Sequence, residues 1–408
     1  IYRNIVGMKR TYEQLIQHHF ADHTQMALLT GPRQVGKTTT SRSIQSKNNT
    51  YYFNWDDIED RERILQGGQT IAAYIDIDRL RDTLPLLIFD EIHKYSQWKS
   101  FIKGFYDRYQ TQCRILVTGS ARLDVFKKGG DSLMGRYFYY RLHPLSVNEL
   151  LGRAPSDTDI QKPLKIADTK FLNLLNWGGF PEPYLKQEQR FYNRWTRLRK
   201  QQLLREDIRE LSNIQELGQL ELLATLLQHQ AGELTSYSTL AKKTRVSVDT
   251  IRRWIVTLES LYYCFSIRPW TKNITRSLLK EPKYYLWDWS QCTDKGARNE
   301  NFIASHLLKA VHYWTDQGLG EYELYFLRDK DKREVDFLVS KNQKPWFMVE
   351  VKSSIKEKLS PTLAVFQKQL LLKHVFQVAM DGDYVDQDIF TLDKPTVVPA
   401  KTFLSQLV

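Results

Sequence analysis

Cysteine is scarce: Cys113, Cys264 and Cys292 are the only three in 408 residues. They are too few and too far apart for a disulfide framework or a thiolate zinc site, and they read as packing residues in a reducing compartment. Long hydrophobic runs are missing as well. The longest apolar stretch, "LPLLIF", falls far short of what crosses a bilayer, and the first residues lack the basic-then-apolar order of a signal peptide. A cytoplasmic protein without a membrane partner is expected. Met8 suits a natural start, since "MKRTYEQLI" opens like a first helix, and residues 1–7 then read as an upstream extension. There is no internal repeat, no low-complexity tract and no basic tail. Apolar residues at 42% and charged residues at 26% argue against disorder. Basic side chains are in excess, with a formal charge of +12. That balance favours an anionic partner: nucleic acid first, then an acidic protein or membrane surface.

The chain is too long for one ordinary core, so two or three domains are expected. Between residues 26 and 150, strand-like runs ("MALLT", "TYYFNW", "LPLLIFDE", "CRILVTGS", "YFYYRLHPL") alternate with polar helical ones. This is the pattern of a parallel α/β sheet. "GRAPSDTDIQKP", residues 152–163, reads as a boundary loop. From 164 to about 275 the period is helical. Within it, "YSTLAKKTRVSVDTIRRWIVTLESLYYCFSIRPW" gives a short helix, a tight turn, a second helix capped by Ser247 or Asp249, and then a β-like run. That is the order of a winged helix-turn-helix. Arg252 and Arg253 fall on its second helix, either as DNA-binding residues or as solvated arginines of a spacer or docking module. Residues 280–408 mix an amphipathic helix (297–312) with the strands "YELYFLR", "EVDFLVS", "PWFMVEVKS" and "HVFQVAM". The expected fold class is therefore multidomain α/β, with domains at 8–151, 164–275 and 280–408.

"GPRQVGKT" fits G-x-x-x-x-G-K-[ST] at every fixed position. A chance match in average composition is about one in a hundred for a chain this long. The loop also follows a strand and opens a helix, where backbone N–H groups and the helix dipole favour phosphate. Gly31, Pro32, Arg33, Gln34, Val35, Gly36, Lys37, Thr38 and Thr39 are the nucleotide-binding candidates. Lys37 is expected to reach the β and γ phosphates of ATP, and the Thr38 hydroxyl to ligate Mg²⁺. "LLIFDE" supplies Asp90 for the metal and Glu91 to orient or deprotonate the attacking water. "ILVTGS" offers Ser120 as a γ-phosphate sensor.

These motifs resemble the AAA+ ATPases, and more closely a widespread bacterial and archaeal group. In that group a P-loop domain with "GPRQVGKT", "DEIHK" and "TGSA"-like signatures is fused to a C-terminal half of unknown function. "LMGRYFYYRLHPLSVNEL" and "WGGFPEPYL" look like further hallmarks. The resemblance implies an ASCE-type parallel sheet, ATP hydrolysis, and homo-oligomers in which a neighbour supplies an arginine. Arg136 and Arg122 are the candidates, each with a structural alternative.

"FMVEVKSS" places Glu350 and Lys352 two apart in an apolar strand, hence on one face. E-x-K alone carries little, since about one copy is expected by chance. "EPK", Glu281 to Lys283, has the same spacing but contains proline and no flanking apolar strand. "EVDFLVS" precedes the second copy, so the two strands read as an antiparallel hairpin carrying Asp336 on the face of Glu350. Asp336 and Glu350 together would bind Mg²⁺ or Mn²⁺, with Lys352 placing a water and offsetting phosphate charge. Glu300 lies on the packing face of the helix, beside Ala304, Leu307 and Val311. The order Glu, Asp, Glu, Lys resembles the PD-(D/E)XK nuclease superfamily, although no proline precedes Asp336. The resemblance implies a restriction-endonuclease-like C-terminal domain. A solvated hairpin face, or a nuclease-like fold kept for docking, are the alternatives.

The leading expectation is an ATP-hydrolysing DNA-processing enzyme with metal-dependent endonuclease activity. The alternative is an ATP-dependent switch or regulator whose nuclease-like domain is silent and binds a protein partner or DNA.

Overall fold

The computed structural model describes residues 9–44, 49–119, 133–154, 156–208, 214–271 and 280–408. The chain divides into two compact units, 1–143 and 144–408. Among the described residues no helix is long and apolar enough to cross a membrane, and the three cysteines are buried free thiols.

The first unit is built on five strands: β1 (Met26–Thr30), β2 (Thr50–Asn54), β3 (Leu86–Asp90), β4 (Arg114–Thr118) and β5 (Tyr137–Arg141). Their spatial order is β2-β3-β4-β1-β5, and every pairing is parallel. All five sequence-predicted strands are present. β1 and β3 are buried along their whole length, as expected for inner parallel strands covered on both faces. Helix Trp98–Tyr109 packs Trp98, Ile102, Phe105 and Tyr109 inward, and Phe105 meets Phe89 edge-on. The register aligns Leu29 with Thr118 and Asp90 with Thr118. The carboxyl ends of β1, β3 and β4 therefore reach one edge together, where the strand order reverses and open α/β sheets form their crevice.

The second unit holds a seven-stranded mixed sheet of order β12-β11-β10-β9-β8-β6-β7. Its strands are β6 (Cys264–Pro269), β7 (Lys283–Leu286), β8 (Tyr322–Arg328), β9 (Glu334–Lys341), β10 (Lys344–Lys352), β11 (His374–Ala379) and β12 (Thr396–Pro399). β9 and β10 form the expected antiparallel hairpin. Asn342 and Gln343 at its tip both have positive φ, 50° and 64°, the backbone that a tight two-residue hairpin requires. Helices Tyr237–Thr244 and Val248–Ser260 are joined through left-handed Arg245. Ser247, rather than Asp249, caps the second of them by accepting from Thr250 N at 3.1 Å. The pair leads into the antiparallel strands β6 and β7.

The sheet runs through the position expected for a boundary at 275–280. β6 pairs in parallel with β8, aligning Arg268 with Tyr325 and Pro269 with Phe326, and Trp270 N donates to Phe326 O at 2.8 Å. Helix Lys295–Asp316 is longer than its predicted core, because Asp294 caps it by accepting from Ala297 N.

One buried ion pair anchors the start of this unit. Lys309 Nζ lies 2.6 Å from Glu149, with side chains 2% and 0% exposed. It also donates to Ser146 Oγ and to Pro144 O. Beside it, burial lowers the pKa of His306 to about 3, so the ring stays neutral. Its Nδ1–H donates to Phe302 O and its Nε2 accepts from Val147 N. Breaking a pair with no access to water strands a charge, whereas removing both partners does not. Lys309→Met should cost about 3–5 kcal/mol, and the double change with Glu149→Leu should recover most of it. Urea denaturation of the full chain checks both.

Candidate nucleotide and acidic sites

In the first unit the loop Gly31–Gly36 turns from β1 into helix Lys37–Ser43. Gly31 has φ +146°, and an added Cβ would lie 2.3 Å from Leu142 O, so only glycine fits. Gln34 and Gly36 also have positive φ, which bends the loop into a concavity of backbone N–H groups. Buried Arg10 pins it, with Nη1 donating to Val35 O at 2.7 Å and Nη2 to His143 O. Lys37 Nζ donates to Gly31 O at 2.9 Å and Pro32 O at 2.8 Å. Pro32 and Val35 are buried, Arg33 and Thr39 half-buried, and Gln34 and Thr38 exposed.

Asp90, at the end of β3, gathers three hydroxyls. Thr38 Oγ1 donates to Oδ2 at 2.8 Å, Tyr52 donates to the same oxygen at 2.5 Å, and Thr118 Oγ1 donates to Oδ1. Burial, then the charge of Asp90, pushes the Tyr52 phenol well above its ordinary value, so it stays a proton donor. Thr38 and Asp90 thus set a hydroxyl beside a carboxylate, the hard-oxygen donor set that suits Mg²⁺. Glu91 holds a left-handed backbone, φ 55°. Burial raises its carboxyl above the ordinary 4.5, while Lys37, Lys94 and Arg33 pull the other way. Its Oε2 lies 3.6 Å from His93 Nε2 and 3.7 Å from Lys94 Nζ. Tyr52 and Thr118 were not foreseen; "VTGS" drew attention to Ser120 two residues further on. Ser120 and Arg122 lie outside the described residues. Arg136 forms a two-point ion pair with Asp107 on helix Trp98–Tyr109, Nε to Oδ1 at 2.7 Å and Nη2 to Oδ2 at 3.2 Å, which is the structural alternative for that arginine.

In the second unit the register Phe337↔Val349 sets Asp336 opposite Glu350. Both continue an apolar stripe, because Leu338 and Met348 pair on the same face and are fully buried. A solvated hairpin face is excluded, since Glu350 is only 9% exposed. Lys352 Nζ donates to Glu350 Oε1 at 2.9 Å, and Val351 N donates to Asp336 Oδ2 at 2.7 Å. Burial, followed by the charges of Glu300 and Glu350, holds the Asp336 carboxyl well above its ordinary range. Burial works against the Lys352 ammonium, yet Glu350 and then Asp336 raise it overall.

Glu300 belongs to the same electrostatic cluster but is held elsewhere. Tyr285 OH donates to Glu300 Oε1 at 2.7 Å, and Lys283 Nζ lies 3.4 Å from that oxygen. Lys283 also reaches Glu334 Oε1 at 2.7 Å, and Arg328 reaches Glu334 Oε2. This corrects the reading of "EPK". The segment after Pro282 does form a strand, β7, and it delivers Lys283 into the acidic cluster. Proline is tolerated because it lies just before the strand's first residue. Glu350 Oε2 is buried and, among the described residues, has no hydrogen-bond partner. Together with crowded Asp336 it fits a hard divalent cation. Among the described residues, however, no group of three or more His, Cys, Asp or Glu is gathered to hold a metal, so Glu300 is not drawn in with the other two. Arg252 and Arg253 are exposed on their helix. Arg252 sits 3.7 Å from Asp249, and Arg253 donates to Thr250 Oγ1.

Three family matches cover most of the chain: an AAA domain at residues 23–151, and two domains of unknown function, DUF8612 at 168–293 and DUF4143 at 295–399. Uncharacterized proteins of Mycobacterium tuberculosis and Mycobacterium bovis are each 24% identical over 83% of this chain and 76% of theirs. Among solved structures, a Walker-type ATPase of Pyrococcus abyssi is 14% identical with a TM-score of 0.44, covering 70% of this chain and 95% of that one. The Holliday junction branch migration motor RuvB of Thermotoga maritima is 18% identical with a TM-score of 0.33, covering 67% and 96%. With its parallel sheet, its phosphate loop and the AAA match over residues 23–151, the first unit contains a P-loop AAA+ ATPase domain.

Proposed function

We propose that the chain is an ATP-driven DNA-processing enzyme in which the AAA+ domain hydrolyses ATP and the acidic cluster of the second unit cuts phosphodiester bonds. The observation that carries the reading is the pair Asp336 and Glu350. One is a carboxyl held above its ordinary range by burial and then by the neighbouring acids Glu300 and Glu350, and the other has a buried oxygen with no hydrogen-bond partner among the described residues. Such crowding is costly unless a cation relieves it.

In the first site the loop N–H groups and Lys37 bind the β and γ phosphates, and Thr38 and Asp90 hold Mg²⁺. Glu91 orients the attacking water and accepts its proton. In the second, Asp336 and Glu350 hold Mg²⁺ or Mn²⁺, which when bound polarises the scissile phosphate. Lys352 positions the water and offsets developing charge. The helix-turn-helix and its β6–β7 hairpin act as a winged helix, with Arg252 and Arg253 meeting DNA phosphates. The basic balance of the chain agrees with this partner, and the proposal includes a homo-oligomer in a cytoplasmic setting.

A second reading is a nucleotide-dependent switch with a silent nuclease-like domain that docks a protein or DNA. It is favoured by Glu300 being bound to Tyr285 and Lys283 rather than to the other two acids. A cleavage assay on linear, branched and single-stranded DNA, with and without ATP and Mg²⁺ or Mn²⁺, separates the two. Cleavage lost on Asp336→Ala or Lys352→Ala supports the nuclease, whereas intact strands throughout support the switch. Lys37→Ala should abolish ATP turnover. Glu91→Gln should keep ATP binding but lower kcat by about 10²-fold or more, and the acid limb of wild-type kcat should lie above the ordinary glutamate range.

Asp336 also makes a prediction that needs no activity. Its folded pKa is raised, so its ionisation penalises the fold above that pKa, and the penalty disappears as pH falls towards the unfolded value. In EDTA, Asp336→Asn should therefore raise Tm at pH 8 by about 3 °C or more, with the gain vanishing near pH 4. Mn²⁺ should raise the Tm of wild type but not of this variant. Calorimetric scans across pH check both.

A further inference from the structure

Lys283 stands in neither family motif that the sequence displays, yet its side chain is only 4% exposed. Its ammonium touches Glu334 at 2.7 Å and Glu300 at 3.4 Å, and it lies 5.6 Å from the centre of the Phe326 ring. A buried lysine ordinarily loses its proton. Here the surrounding carboxylates of Glu300, Asp336 and Glu334 more than offset burial and keep it charged. It is thus a cation inside a cluster in which Lys352 serves Glu350 and Arg328 serves Glu334. Tyr285, two residues along the same strand and so on the same face, donates to the same Glu300 oxygen.

We propose that Lys283 is a positioning residue of the acidic site: the resident counter-cation of Glu300, which a divalent ion must displace before Glu300 can join Asp336 and Glu350. The proposal rests on the reading of that cluster as a metal site. Its consequence runs against the usual effect of deleting a buried salt-bridge partner. Removing Lys283 destabilises the metal-free protein, because it leaves Glu300 without its cation and Glu334 with Arg328 alone. It also tightens divalent binding, because a competing positive charge a few ångströms away is gone.

The experiment titrates Mn²⁺ into the full chain, reading free Mn²⁺ by electron paramagnetic resonance and Tm in parallel. The proteins are wild type, Lys283→Met, Lys283→Arg, the double variant Lys283→Met/Glu334→Gln, and Asp336→Asn. The double variant removes the lysine together with its closer acid, so that a folded protein lacking the cation is available. The expected result is a half-saturating Mn²⁺ concentration lowered tenfold or more in Lys283→Met and in the double variant. It should stay within about twofold of wild type in Lys283→Arg, and the Asp336-dependent site should be absent from Asp336→Asn. Mn²⁺ binding that appears only when Lys283 is removed would also support the proposal. An unchanged or weaker affinity in both Met variants, with wild type still binding through Asp336, overturns it while leaving the metal site standing. No Asp336-dependent Mn²⁺ in any variant overturns the metal reading, and the competition with it.

Discussion

Negative charge crowded at one end of the β9–β10 hairpin is the constraint around which the second unit is organised. Glu300, Glu334, Asp336 and Glu350 come from a helix and two strands, and the cations that answer them are Lys283, Arg328 and Lys352. Every other polar choice nearby serves to manage this field. Val351 N–H is turned onto Asp336, Tyr285 onto Glu300, and β7 is brought in to supply an ammonium. Asp336 receives one backbone donor and, among the described residues, no ion-pair partner, and burial followed by Glu300 and Glu350 raises its pKa. Carboxylates buried for packing alone would be replaced at little cost by apolar groups of similar volume. Their presence at the end of the stripe formed by Leu338 and Met348 calls for a cation or for a conformational choice.

The acid of the first unit solves the same problem differently. Asp90 is also buried, but three hydroxyls from three elements donate to it: the helix after the phosphate loop, β2 and β4. The parallel register makes this inexpensive, because Asn54, Asp90 and Thr118 end their strands in line. Arg10, far upstream, fixes the loop against the same edge by holding Val35 O and His143 O. The result is a phosphate loop, a hydroxyl and an acid already in mutual reach, with Glu91 next along the chain. One site is therefore assembled by backbone register, and the other is held poised by opposing charges.

That difference explains what could be read from the amino-acid sequence. The inner strands β1, β3 and β4 were legible as apolar runs because they are buried almost throughout, the edge strands β2 and β5 by their aromatic residues, and the phosphate loop because glycine is compulsory where Leu142 O closes on Gly31. The hairpin was legible because alternation survives between Val335 and Phe337 and between Val349 and Val351. Tyr52 was hidden among the aromatic residues of "TYYFN", where nothing local marks which ring points along the sheet towards Asp90. Lys283 was hidden for a different reason. A four-residue strand flanked by proline has no period of its own, and its identity comes from pairing with β6 and from an isolated bridge to Leu234. The continuation of the sheet through β6 and β8 was equally out of reach, since parallel pairing across more than fifty residues leaves no local trace.

Pairing of β7 with β6 has a mechanical consequence that neither motif reveals alone. β6 follows directly from helix Val248–Ser260, whose exposed face carries Arg252 and Arg253. β7 presents Lys283 and Tyr285 on the face that holds Glu300. Four aligned residue pairs, from Cys264↔Leu286 to Ile267↔Lys283, tie the two strands together, and Tyr237 OH meets Tyr284 OH at 2.9 Å from the preceding helix. A hydrogen-bonded ladder is stiff along its strands, so a load on the helix pair is carried to β7 rather than dissipated in a linker. Both donors to Glu300 sit on that strand, whereas Asp336 and Glu350 sit on the β9–β10 hairpin, which joins it through β8 and β6. The helix that carries Arg252 and Arg253 thus leads into the strand paired with the one that restrains Glu300, and the position of Glu300 relative to Asp336 and Glu350 depends on how that piece of sheet is seated.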